Sequence, residues 1–96
     1  MGNVVKNAII FTDRQGIQRL FGEVVQDERW EVGHHIVTSQ IVRSSIRDKF
    51  VQTETGTRYF VENFFTTDEF VDYIKKTFDE EKVNYYLYYT NLADNL

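Results

Sequence analysis

The sequence predicts a small α+β domain. It should be an antiparallel β-meander of about five short strands rolled into an SH3-like barrel, with one amphipathic helix over residues 66–82 and a C-terminal segment that continues as a strand or as helix. Three observations predict it. Residues 4–62 break into short β-branched or aromatic runs separated by turn residues. Residues 66–82 change to helical spacing. The 96 residues contain no Cys and no Pro, so one modest core, without a disulfide framework, must hold a single domain.

The elements follow in chain order. Residues 4–12 and 17–26 read as a hairpin around Asp13-Arg14-Gln15-Gly16, with an Asp early and a Gly late as a tight turn requires. Gly22 interrupts the alternation of the second arm and predicts a bulge or bend. "DERWEVG" is polar and predicts a loop, and "HHIVTSQIV" has the β-branched density of one strand. "RSSIRDK" reads as a turn. "FVQTETGTRYFVEN" is a second hairpin, turning at Thr55-Gly56. Thr66 then stands three residues before Glu69, a capping box, with Phe65 and Phe70 placed as a hydrophobic staple. Phe70, Ile74 and Phe78 continue at i, i+4 and i+8. In "VNYYLYYT" the Tyr and Val content favours a strand, although a short apolar run is also compatible with helix.

Composition excludes several chemistries. Without Cys there is no thiolate metal site or thiol nucleophile. No G-x-S-x-G elbow or glycine-rich phosphate loop occurs. His34 and His35 are adjacent, so on a strand they face opposite ways and cannot share one ion; both read as structural residues. Trp30 reads as a core or lid residue. The sequence therefore carries no catalytic residue, metal ligand or cofactor. No apolar run is long enough to span a bilayer, and the first ten residues lack a signal-peptide hydrophobic stretch, which predicts a soluble, cytoplasmic protein.

The net charge of −4 is unevenly spread. Residues 1–50 hold seven Lys/Arg against six Asp/Glu, and residues 51–96 hold four against nine. On a helix ending near Glu81, Asp79, Glu80 and Glu81 would sit at the negative end of the macrodipole, an unfavourable position that suggests a retained acidic patch. With Asp68, Glu69 and Asp72 it would dock on a basic surface, anchored by Tyr85, Tyr86, Tyr88 and Tyr89. This makes the chain a small acidic, non-enzymatic binding protein whose partner is a protein with a basic surface. The alternative is a nucleic-acid-binding β-barrel using Arg14, Arg19, Arg29, Arg43, Arg47 and Lys49, but these charges are interspersed with Asp and Glu, which reads as a solvated mixed surface and disfavours a nucleic-acid partner. A Tyr-rich last strand could also pair with its copy in a homodimer.

Within residues 21–62, Val24, Val25, Asp27, Trp30, Gly33, Ile36, Thr38, Ser39, Ile41 and Val42, then Thr53, Gly56 and Tyr59, make a W-x-x-G-x-x-I-x-T-S stretch followed by T-x-x-G-x-x-Y. This run resembles small uncharacterised proteins of phages and their bacterial hosts. The likeness implies a phage-type origin and a compact β fold, and no activity. An inhibitor, an anti-defence factor or a mimic of nucleic-acid charge would fit that origin.

Overall fold

The computed structural model describes residues 2–92. Six strands precede two helices: β1 Asn3–Thr12, β2 Gln18–Gln26, β3 His35–Val37, β4 Ile41–Ser45, β5 Phe50–Thr53, β6 Arg58–Val61, α1 Thr67–Thr77 and α2 Glu80–Thr90. The strands form one sheet in the order β3-β2-β1-β6-β5-β4. Every neighbouring pair is antiparallel except β1 and β6, which run parallel. The expected five-strand, wholly antiparallel meander is thus corrected to six strands in a mixed sheet.

One bend accounts for both differences. β3 and β4 are the two halves of the single strand expected over "HHIVTSQIV", interrupted at Thr38-Ser39-Gln40. The chain does not reverse there, whereas it reverses at every other strand connection, so β6 arrives parallel to β1. The bend also joins the two edges of the sheet. Laid flat, those edges would be about five inter-strand spacings apart, roughly 24 Å. The link from Val37 to Ile41 can span at most about 14 Å. The sheet must therefore roll, and β2 comes into contact with β4. Thr38 holds the corner. Its backbone N–H donates to Leu20 O at 2.9 Å, and its Oγ1 accepts from Leu20 N at 3.1 Å.

Rolling divides the apolar side chains between two compartments. Val5, Ala8, Leu20, Val24, Ile36, Ile41, Val51, Tyr59 and Val61 fill the concave interior. Ile9, Phe11 and Phe21 lie on the outer face and are covered by Phe70, Val71, Ile74 and Val83 of the helices. The change of face within β1 follows a register shift between Lys6 and Ile9, where Asn7 takes φ 51°. The irregularity expected from Gly22 therefore lies in the partner strand, opposite that glycine. Gly22 is needed for close approach: a Cβ there would stand 3.1 Å from Val5 Cβ.

The turns fall where the sequence puts them. Gly16 and Gly56 adopt φ 83° and 87° in the two hairpins. In the first, the Asp13 carboxylate accepts from the backbone N–H groups of Gln15 and Ile17 and from Arg19 Nε at 2.8 Å.

The helical region differs from expectation. The capping box forms, with Glu69 N donating to Thr66 Oγ1 and Thr66 N donating to the Glu69 carboxylate. The helix then stops at Thr77 instead of reaching residue 82. Phe78 is extended and turns its ring toward His35 and Tyr86. Asp79 caps a second helix by accepting from Lys82 N at 2.9 Å. The strand option for "VNYYLYYT" is thereby excluded. Val83, Tyr86, Leu87 and Thr90 recur at i, i+3, i+4 and i+7 and pack inward, and this packing overrides the strand preference of Tyr and Val. The segment's backbone is used within α2, so it cannot pair with a copy as an edge strand; β3 and β4 are the edges of the sheet.

Candidate functional site

The acids stand at helix starts, not at the helix end the sequence predicts. Asp79, Glu80 and Glu81 do not end α1; Asp79 is the N-cap of α2, and the two glutamates occupy its first turn. There the macrodipole favours negative charge, by about 0.3–1 kcal/mol for each exposed group. Their helix-start role removes the electrostatic anomaly that had suggested a retained patch. Asp68 and Glu69 occupy the first turn of α1 in the same sense.

Two shallow depressions divide these side chains. One, of about 400 Å³, is lined by Asp79, Glu81, Lys82 and Tyr85. The other, of about 300 Å³, is lined by Phe65, Glu69, Asp72, Tyr73 and Lys76. The four tyrosines separate by helical phase. Tyr86 packs edge-on against Phe21, and Tyr89 edge-on against Phe11, so both serve the core. Tyr85 and Tyr88 keep 57% and 65% of their surface open. With Glu81 they make a stripe at i, i+4 and i+7 on α2. Arg14 lies 4.0 Å over the Tyr88 ring and donates from Nε to its carbonyl oxygen.

The two histidines separate as well. His34 stacks on exposed Trp30, with ring centroids 5.0 Å apart. Trp30 is therefore a surface residue, not a core one; the buried Tyr59 hydroxyl is met instead by Arg29, at 2.8 Å. His35 is half-buried against Phe21 and Phe78. Its Nε2 lies 2.7 Å from Tyr73 Oη, which donates to Glu23 Oε1 at 2.7 Å. Because the Tyr73 proton goes to Glu23, Nε2 must carry the proton of the histidine–tyrosine bond. Asn7 Nδ2 also donates to Glu23, and Lys6 Nζ stands 3.9 Å from its other oxygen. Sequence reasoning missed this chain, since its members lie on β2, β3 and α1 and no short motif contains them. Among the described residues no three His, Asp or Glu side chains gather as a metal site.

Burial sets the protonation of this chain. It raises the Tyr73 hydroxyl to about 12, reinforced by the hydrogen bond to Glu23. Burial also pushes Glu23 upward, but the bonds from Tyr73 and Asn7 together with nearby Lys6 prevail, and its pKa falls. Burial lowers His35 against the opposing pull of the Glu23 charge. At neutral pH the chain is thus neutral His35, neutral Tyr73 and ionised Glu23, a brace joining β2, β3 and α1.

The His35 shift makes stability pH-dependent. The unfolded chain takes up this proton near the ordinary histidine value, about 6.5, whereas the folded chain resists it. Stability should fall as pH drops from about 6.5 toward the lowered folded value. Glu23 contributes in a lower window, because its stabilisation is present above the unfolded carboxylate pKa and is lost as pH falls through the depressed folded value. His35→Phe should flatten the slope of unfolding free energy between pH 7 and 5 in urea titrations. An unchanged slope would remove His35 as the source.

The arginines are unequally engaged. Arg19 pairs with Asp13 and donates to Thr38 O, and Arg29 pairs with Asp27 and Tyr59. Arg43 and Arg58 stay exposed on the strands. No helix among the described residues is long and apolar enough to cross a membrane. No family model matches the chain, and no curated protein or solved structure matches it either.

Proposed function

We propose that the protein is a small acidic, non-enzymatic binding protein of phage-related origin, working in the cytoplasm through its helical layer. Its partner is a protein with a basic surface, and occupying that surface makes it an inhibitor, an anti-defence factor or a mimic of nucleic-acid charge. The rolled sheet, read here as an SH3-like barrel, is the rigid support. The observation that carries this reading is the depression in which Asp79 and Glu81 border Tyr85, with Tyr88 exposed one turn further along α2. An open tyrosine beside carboxylates offers buried area, a polar tip and charge complementarity in one contact.

Of the expected residues, Glu81, Tyr85 and Tyr88 are the ones to test. Asp79 and Glu69 also cap helices, so changing them would confound binding with folding. Tyr85→Ala and Glu81→Lys should each weaken capture of a basic partner by at least about tenfold, the scale of an interface hot spot. Circular dichroism should remain that of the wild type. Capture that survives both substitutions in folded protein would overturn the proposal.

A further inference from the structure

Among the described residues, the helices pack on the outer sheet face at β1 and β2, over Ile9, Phe11 and Phe21. In the other half of the sheet, the ladders β4–β5 and β5–β6 place Arg43 opposite Gln52 and Gln52 opposite Arg58, and Phe50 lies opposite Phe60 in the next row. Residues directly opposite in a ladder share a face, so two rings and two guanidinium groups stand together. Phe60 is 46% exposed although its neighbours Tyr59 and Val61 are buried in the interior. The Arg58 guanidinium lies 4.4 Å over the Phe50 ring, and its NH2 group donates to Gln52 Oε1 at 3.5 Å. Gly2, just before β1, borders Phe60: an added Cβ would be 3.0 Å from that ring, so glycine keeps this flank bare. Charge adds a further sign. Residues 41–62 carry Arg43, Arg47, Lys49 and Arg58 against Asp48, Glu54 and Glu62, while residues 67–90 carry six Asp/Glu against three Lys.

We propose that this face binds single-stranded nucleic acid, with a base stacked on Phe60 and adjoining phosphates held by Arg58 and Arg43. An exposed ring on a rigid sheet offers a stacking surface to any unpaired base, and flanking arginines meet the backbone. A duplex hides its base faces and cannot use the ring. The surface is separate from the α2 stripe, so this inference does not depend on the protein-binding reading.

The test is fluorescence anisotropy of labelled ten-nucleotide oligo-dT and oligo-U at low salt, followed by a salt series. Saturable binding is expected to at least one probe. Phe60→Ala should weaken it by about tenfold, the scale of one lost stacked base, and Phe60→Trp should preserve it. Arg58→Ala should reduce the slope of log K against log salt by about 0.7, one single-strand phosphate contact. Tyr85→Ala should leave the titration unchanged, which separates this site from the helical one. Phe60 is exposed, so the melting temperature of Phe60→Ala serves as the folding control. Absence of saturable binding, or equal binding by wild type and folded Phe60→Ala, would overturn the proposal. So would a dimer-to-monomer change on Phe60→Ala in sedimentation, which would assign the face to a second copy.

Discussion

Phe21→Ala is expected to lower the free energy of unfolding by about 3–5 kcal/mol, the usual cost of truncating a buried phenylalanine. Phe21 has no exposed surface, and its ring touches Phe70, Tyr86 and His35. It therefore joins the sheet to both helices and to the imidazole of the brace. A domain of this size has only about 5–15 kcal/mol in total, so the variant should unfold at a much lower urea concentration or be partly unfolded without denaturant. A loss below about 1 kcal/mol would mean that the helices can close over the gap, which packing at native density makes difficult.

Thr38→Val should cost about 1–3 kcal/mol, the price of leaving a buried hydrogen-bonding group unpaired. Valine keeps the shape of threonine and removes only the hydroxyl, which accepts from buried Leu20 N and donates to Ser39 O. Thr38 N can still donate to Leu20 O, so the loss is confined to the side chain. Thermal melts of Thr38→Val and Thr38→Ser separate the causes. Serine retains the oxygen and should recover part of the stability; if serine is no better than valine, the corner is held by packing alone.

Much of the local structure is legible in the sequence, because glycine and capping residues act over three or four positions. Gly16 and Gly56 mark hairpins, and Thr66 with Glu69 marks a helix start. The bend at Thr38–Gln40 has no such mark. It lies within a run of β-branched residues and is enforced by Leu20, far away in sequence. Asp79 followed by Glu80 and Glu81 carries the signal of an N-cap with an acidic first turn, but Phe78 keeps the i, i+4, i+8 spacing of Phe70 and Ile74 and so masks the break before it. The inward stripe of Val83, Tyr86, Leu87 and Thr90 had the helical period as well. The brace of Glu23, His35 and Tyr73 was not legible, since it depends on which strand neighbours which. The two histidines do take different partners, but strand alternation is not the cause, because His34 lies just outside β3. The surfaces proposed for binding were legible as residue types, and only the fold sorts Tyr85 and Tyr88 from Tyr86 and Tyr89, and Arg43 and Arg58 from Arg19 and Arg29.

The parallel seam between β1 and β6 has a consequence for how the chain assembles. Each group of three strands on either side of it is made from neighbours in sequence and can associate early. The seam itself joins Val5 to Val61, and contacts so distant along the chain form only after the intervening segment has been brought to order. During synthesis the first strand must therefore wait, paired on one side only, until the sixth has left the ribosome.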